Sequence, residues 1–371
     1  MPPVVQAAGS RALLMSEKTL GDRSDRISSV LSYVAAIAVG LIAMTIVILG
    51  VGGNPIQALG KAFESSVMTV TGLAQTFNRA TPLLLMALGF AVARHAGLFN
   101  IGLDGQFTAG AMAATGVGIY LIPPDSIPLV GISITLLVGA IGGAAWAAVP
   151  AALKVRFGVN EILTTVMLIF VAMLLAEYVA TGPWNDPISG EAITLPLVES
   201  TNFPKLLARG GGHAGIVLAL VLAVLVWWIL YRTRVGYVIR AVGSNVDAAR
   251  RSGIRHRIVL FFTLSAGGAL AGIAGAIEVT GVHQRLLLDL VPDAGVMAIL
   301  ISVLAGDRPI VVVPVSVLFS VMLSATDSLQ RSVGFPSGAV LAVQALMVLV
   351  VVLASARRSR SVWKKHQAEA S

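Results

Sequence analysis

Polar side chains interrupt an apolar part of the sequence between Arg94 and Gln106. Asn100, Asp104 and Gln106 follow a basic pair, Arg94 and His95, and the glycines among them allow the backbone to bend. At membrane depth such groups are tolerated only where they face protein or a water-filled cavity. They can hydrogen-bond a polar solute, or they can satisfy carbonyl groups that a break in a helix leaves free. The spacing alone leaves both interpretations open.

The sequence favours this binding chemistry over catalysis. It contains no cysteine, and its five histidines lack the spacing of metal ligands, so we expect neither thiolate chemistry nor a metal site. Gly60 and Lys61 do not form a phosphate-binding loop, because Pro55 replaces its first glycine and Ala62 replaces its hydroxyl residue. No pairing of a nucleophile with a base is evident. We therefore expect a chain that is not an enzyme and binds no cofactor of its own.

The composition is that of an integral membrane protein. The 371 residues are 56% hydrophobic and 12% charged, and the mean hydropathy is +0.88, which is too apolar for a soluble globular protein. The 38 glycines indicate closely packed helices, because small residues let backbones approach each other in lipid. The net charge of +8 follows from basic residues near the presumed cytoplasmic ends. Nucleic acid is therefore not expected as a partner.

The apolar runs predict an all-α polytopic membrane protein with about ten transmembrane helices, some of them broken. The run at 81–93 is too short for a simple crossing, and the mixed stretch at 56–79 is expected to lie along the outer surface. The chain is expected to break in the polar stretch that follows. The predicted runs are 30–51, 81–93, 110–122, 127–153, 160–181, 216–231, 258–280, 294–305, 310–325 and 337–354.

Basic residues set the expected orientation and the domain boundaries. A flexible N-terminal tail, 1–29, and a basic C-terminal tail, 356–371, enclose a transmembrane domain at 30–355. An even number of crossings places both tails on the same side, and their basic residues predict that this side is the cytoplasm. Five crossings per half would make any internal repeat inverted. The echo of Asp104-Gly105 in Asp293-Ala294-Gly295 is too short to establish one.

The longest internal loop, 232–257, carries seven arginines against one acid, Asp247. Its charge places it in the cytoplasm. Ser244 or Asn245 can cap a short helix, and Gly253 can end it. The loop is either a solvated connector or a docking surface, and the helix signals favour docking.

This loop resembles the one through which membrane subunits of ATP-binding-cassette importers engage their ATPase. Asp247-Ala248-Ala249 and Gly253 match the Glu-Ala-Ala-x-x-x-Gly pattern, with Asp in place of Glu. The surrounding TRVGYVIRAVGSNVDAARRSGI is similar to the permeases for simple sugars, nucleosides and branched-chain amino acids. The resemblance implies an ATPase-coupling role for a set of residues across the loop, namely Gly236, Arg240, Gly243, Asp247, Ala248, Ala249 and Gly253.

The polar cluster carries the same resemblance. GLFNIGLDGQ resembles the Gly-x-Phe-Asn-Ile-Gly-x-Glu-Gly-Gln signature of the nucleoside and simple-sugar permeases, with Asp104 in place of Glu. NEILTTVMLIF resembles a second pattern of that family, but Ile169 stands where Asn is expected. Other boundary residues such as Glu177 are interpreted as interfacial or packing groups. The implied substrate path comprises Phe99, Asn100, Asp104, Gln106 and Glu161.

The resemblance implies a permease subunit in the bacterial cytoplasmic (inner) membrane. Its expected partners are ATPase subunits that use ATP and Mg, a second permease that is identical or homologous, an extracytoplasmic substrate-binding protein, and the lipid bilayer. A nucleoside or related purine compound is the first expected substrate, and a simple sugar such as ribose is the alternative. A transporter driven by an ion gradient would share the broken helices and inverted halves.

Overall fold

The computed structural model describes residues 54–207 and 211–333, together with a few positions between 42 and 50. Nearly all of them belong to one compact unit, Leu59–Arg331. Most of the predicted first span, the predicted last span at 337–354 and both predicted tails lie outside the described residues.

The described residues fold into helices, with one long connection between Thr181 and Gly215 that contains a two-stranded antiparallel sheet. Single π-helical turns follow α1, at Glu64–Met68, and α9, at Val279–His283. The helices are α1 (Pro55–Phe63), α2 (Val70–His95), α3 (Leu103–Tyr120), α4 (Pro128–Phe157), α5 (Glu161–Thr181), α6 (Gly215–Arg232), α7 (Arg234–Ser244), α8 (Val246–Arg251), α9 (His256–Glu278), α10 (Ala294–Leu304) and α11 (Pro309–Val333), and the strands are β1 (Lys205–Leu207) and β2 (Gly212–His213).

Six helices in the described part of the chain are long and apolar enough to cross a membrane, namely α2, α4, α5, α6, α9 and α11. The apolar helix α10 has only 11 residues, about half of the roughly 20 needed to cross. Helix α3 has 18 residues, but it is less apolar than these six helices and is not among the candidate spans. The helical membrane fold is confirmed, whereas ten crossings and the orientation of the termini remain predictions.

Helix α2 corrects the expectation for residues 70–93. Val70–His95 is one helix of 26 residues with Pro82 inside it, so the apolar run at 81–93 belongs to a full-length span. Two polar residues near the start of this helix contact protein and do not face the outer surface. The Asn78 side chain donates to the Gly211 carbonyl and accepts the His213 N–H, each at 3.1 Å, and Arg79 pairs with Asp327.

Glycines bring helix α9 against α2, α3 and α4 with no side chain between the backbones. A Cβ added to Gly267 would lie 2.7 Å from the Gly89 carbonyl oxygen, and one added to Gly110 would lie 2.7 Å from the Gly272 carbonyl carbon. A Cβ on Gly143 would lie 2.7 Å from the Gly272 Cα. Such separations exclude any side chain, so the glycines set the distance between these helices.

The sheet lies before α6, at the end of the bundle opposite to the 232–257 loop. His213 is buried there, and its Nδ1 accepts the Gly215 N–H at 3.0 Å. Burial lowers the pKa of His213 to about 4, because a charged imidazole would lose its hydration. The ring is therefore neutral at physiological pH, as its acceptor role requires.

We predict that Gly272→Leu lowers the free energy of unfolding by about 1–3 kcal/mol or more, because the new side chain meets the α4 backbone. Gly60→Ala is the control, because no atom of the residues that the structure describes lies within 4 Å of a Cβ at that position in α1. Thermal unfolding of the detergent-solubilised protein measures both variants. Equal melting temperatures would show that the α4–α9 contact can relax around a side chain.

Candidate functional site

The chain breaks between α2 and α3, as the sequence predicts. Helix α2 is closed by Gly97 in the left-handed conformation, with φ of 78°. The Gly97 N–H reaches the Arg94 carbonyl at 2.9 Å, and the Leu98 N–H reaches the Ala93 carbonyl at 3.0 Å. A Cβ on Gly102 would lie 2.8 Å from the Thr165 Cβ. The irregular segment 96–102 is therefore packed tightly against α5.

Asn100 and Gln106 form a closed pair of amides across this break. The Asn100 Nδ2 donates to the Gln106 Oε1, and the Gln106 Nε2 donates to the Asn100 Oδ1, both at 2.9 Å. The Asn100 Oδ1 also accepts the Gly102 N–H at 3.2 Å. Both side chains are at most 1% exposed. In this conformation the two amides stabilise the break and do not face a solute.

Asp104 joins the beginning of α3 to the beginning of α10. Its Oδ1 accepts the Gly295 N–H at 2.6 Å. A Cβ on Gly295 would lie 2.6 Å from the Asp104 Cγ, so only glycine permits this approach. A carboxylate is favoured at a helix N-terminus, where unpaired N–H groups carry positive partial charge. Asp104 therefore stands between the N-termini of two helices that begin inside the bundle.

A cavity of about 520 Å³ opens beside Asp104. One wall is the first turns of α3, with Phe107 and Thr108, and a second is the middle of α5, with Ile169 and Met173. The loop 287–293 closes the third side. The volume lies within the roughly 300–1,000 Å³ range of small-molecule sites.

The lining of the cavity combines acids with apolar surface. Asp104, Glu177, Asp289 and Asp293 all line it, and no basic side chain is among its described lining residues. Ile169, at the position where the resemblance expects Asn, adds an apolar patch to the α5 wall. The site can therefore accept hydrogen bonds from hydroxyl or amine groups, and it disfavours an anionic ligand.

The other residues of the predicted substrate path lie away from this cavity. Phe99 packs edge-on against Phe90, with ring centroids 5.1 Å apart, and lies under the Arg94 guanidinium. Glu161 is 8% exposed and pairs with Lys154 at 2.6 Å across the α4–α5 turn. Of the five predicted path residues, Asp104 is the one that lines the cavity in the described part of the chain.

The 232–257 loop folds into two short helices. Helix α8 is capped by Asn245, whose Oδ1 accepts the Ala248 N–H at 2.9 Å, as the sequence predicts. Gly253 closes it with φ of 80°. Asp247 and Ala248 are exposed, whereas Ala249 is buried. Helix α8 thus presents one exposed face around Asp247 and Gly253.

Helix α7, which the sequence did not predict, holds the remaining three residues of the predicted coupling set. Gly236 lies against the end of α6, where an added Cβ would be 2.5 Å from the Leu230 carbonyl carbon. Gly243 lies against the end of α2, where an added Cβ would be 2.9 Å from the His95 carbonyl carbon. Arg240 lies over the Tyr231 ring, with its Cζ 5.3 Å from the centroid. These three residues attach the loop to the bundle.

Sequence reasoning missed the acids that the fold brings to Asp104. Glu177 was interpreted as a packing or interfacial group, yet it lines the cavity. Asp289 and Asp293 lie in a loop whose approach to α3 depends on a contact across 191 residues. The one available signal was the echo of Asp104-Gly105 in Asp293-Ala294-Gly295.

The membrane-spanning bundle, the two helices that begin inside it and the acidic cavity between them define a membrane permease. The chain belongs to the family described as the branched-chain amino acid transport system / permease component, which matches residues 72–354. It is therefore a multi-pass, non-catalytic membrane subunit of an ATP-binding-cassette transporter.

Relatives that carry substrate names include one glucose permease protein and two nucleoside permease proteins. The chain is 33% identical over 334 residues to the glucose ABC transporter permease protein TsgB13 of Haloferax volcanii, covering 87% of this chain and 86% of the relative. It is 27% identical to the nucleoside permease protein NupB of Lactococcus lactis, covering 89% and 92%. It is 28% identical to the guanosine permease protein NupP of Bacillus subtilis, covering 90% and 96%.

We predict that Asn100→Leu and Gln106→Leu each lower the free energy of unfolding by about 1–3 kcal/mol, because each leaves a buried amide without its partner. In the double variant the free energy of unfolding should fall by less than the sum of the two single effects, because both amides are removed together. Thermal unfolding of all four proteins measures the coupling. Strictly additive losses would contradict the closed pair.

Proposed function

We propose that this chain forms the translocation path of an importer for a simple sugar. The supporting observation is the cavity beside Asp104, which offers carboxylate acceptors on one side and apolar side chains on another. A sugar presents hydroxyl donors around its rim and C–H groups on its faces, and it carries no charge. Carboxylates accept hydroxyl hydrogen bonds strongly, and Ile169 and Met173 offer a surface for the C–H face.

The comparison with TsgB13, a glucose permease protein that is 33% identical, supports a sugar ahead of a nucleoside. Ile169 supports the same order, because it lines the cavity where the family pattern has Asn. A nucleobase has a polar edge that needs amide-like donors and acceptors. The nucleoside relatives, at 27% and 28% identity, make nucleosides the second candidate.

Transport would then be driven by partner subunits in the cytoplasm. Two ATPase subunits would bind ATP and Mg and dock on the exposed face of α8, around Asp247 and Gly253. A second permease, identical or homologous, would complete the path, and an extracytoplasmic binding protein would deliver the sugar. The seven arginines of the loop support its cytoplasmic location.

We predict that Asp104→Asn reduces uptake of radiolabelled glucose by about tenfold, because a neutral amide accepts hydroxyl hydrogen bonds less strongly than a carboxylate. The amide oxygen can still accept the Gly295 N–H, so the helix contact is retained. Glu191→Gln, on an exposed loop, is the control for loss of one negative charge. Proteoliposomes containing the whole complex and its binding protein measure uptake.

The same vesicles test the substrate. Excess unlabelled glucose or ribose should suppress uptake of labelled glucose, and guanosine should not. Uptake of guanosine with no uptake of either sugar would replace the sugar proposal by the nucleoside one. Uptake of either solute by the permease without an ATPase would contradict both.

We predict that Gly253→Trp weakens binding of the ATPase by roughly 10- to 100-fold, the effect of an overpacked interface. Among the described residues, no atom lies within 4 Å of a Cβ at this position, so the indole would project into the docking surface. Gly253→Asn is the control, because Asn tolerates a positive φ and is small. Co-purification of the ATPase with each variant is measured. Unchanged recovery with Gly253→Trp would place docking elsewhere.

A further inference from the structure

The end of α2 is attached to the 232–257 loop by a direct backbone contact. A Cβ on Gly243 of α7 would lie 2.9 Å from the His95 carbonyl carbon and 3.0 Å from the Ala96 carbonyl carbon. A Cβ on Gly97 would lie 3.5 Å from the Gly243 Cα. The two chain segments therefore touch where α2 ends and the break begins, and neither can shift far alone.

Three side chains form a second attachment beside this contact. The Tyr231 hydroxyl lies 3.2 Å from the His95 Nε2, and the two rings meet edge-on with centroids 5.9 Å apart. The Arg240 guanidinium of α7 lies over the Tyr231 ring, with its Cζ 5.3 Å from the centroid. The order Arg240, Tyr231, His95 thus runs from α7 through the end of α6 to the end of α2.

The His95 ring is held in one orientation. Its Nδ1 lies 2.7 Å from the Ala91 carbonyl oxygen, which can only accept, so Nδ1 carries a proton. In the neutral ring Nε2 is then the acceptor for the Tyr231 hydroxyl. Removal of the Tyr231 hydroxyl deletes this hydrogen bond while the aromatic ring remains.

The last turn of α2 also reaches α10. The Arg94 Nε lies 3.5 Å from the Asp307 Oδ2, just beyond the end of α10. Helix α10 begins at the Asp104 carboxylate through the Gly295 N–H. Arg94 and His95 therefore connect the docking loop on one side to the C-terminal end of α10 on the other, and the N-terminal end of α10 meets Asp104.

We propose that Tyr231 and His95 are positioning residues that transmit displacement of the docking loop to the cavity beside Asp104. This inference rests on the proposed function for the role of the loop. When α7 moves, the Tyr231–His95 hydrogen bond and the Gly243 contact carry the end of α2 with it. The segment 96–102 and α10 then follow, and the exposure of the Asp104 cavity changes.

The cysteine-free sequence allows a test that needs no ATPase. A single cysteine is introduced as Thr108→Cys in the cavity wall, and its rate of reaction with a water-soluble maleimide is measured in the purified full-length permease. Adding Tyr231→Phe should change that rate by roughly 3- to 10-fold, the effect of one hydrogen bond. Tyr237→Phe is the matched control, because Tyr237 is 65% exposed on α7. Equal rates in both backgrounds would overturn the inference.

A second variant distinguishes loss of this hydrogen bond from a general loss of folded structure. His95→Phe removes the same hydrogen bond from the other side, and the double variant with Tyr231→Phe should change the labelling rate no further than the single variants. Additive changes would show that the two residues act separately and would contradict the inference.

In the complete complex, the amount of ATP hydrolysed per sugar imported distinguishes a positioning role from a purely structural one. With Tyr231→Phe the ATPase should still bind and hydrolyse ATP, but the ATP used per sugar imported should rise roughly 3- to 10-fold. An unchanged ratio would contradict the inference. If the unmodified complex imports no sugar with ATP, the proposed function fails, and the labelling rates still decide whether the cavity responds to Tyr231.

Discussion

The close approach of backbones around α9 is the constraint on which the rest of the structure depends. In lipid, apolar side chains gain little by leaving one solvent for another, so packing and hydrogen bonds must hold helices together. Glycines provide that packing here, at Gly89 and Gly267, at Gly110 and Gly272, and at Gly143. Because α2, α3 and α4 are all fixed against one helix, the break between α2 and α3 occurs inside a rigid frame.

That frame makes a polar site possible at membrane depth. Two helices, α3 and α10, begin inside the bundle, and their unpaired N–H groups need acceptors. Asp104 supplies one, through the Gly295 N–H, while Asn100 and Gln106 satisfy each other and the turn at Gly102. The amides therefore stabilise the broken backbone, and the carboxylate both stabilises it and faces the cavity.

Sequence patterns predicted the features that depend on local chemistry. Hydropathy located most described spans, and capping preferences located α8 between Asn245 and Gly253. The length of α2 was underestimated from the sequence, because Asn78 and Arg79 have the polarity of surface residues. Their partners, Gly211, His213 and Asp327, are distant in the sequence. The acids opposite Asp104 were missed for a similar reason, since no local pattern encodes a contact across 191 residues.

The hydrogen bond between Asp104 and the Gly295 N–H also has a consequence for biosynthesis. Its partners are 191 residues apart, and ribosomes add about 5–20 residues per second. Helix α3 is therefore made on the order of 10–40 s before α10 exists. During that interval the Asp104 carboxylate lacks the Gly295 N–H as a hydrogen-bond donor. Because this hydrogen bond needs both helices, the contact between α3 and α10 can form only late in synthesis of the chain.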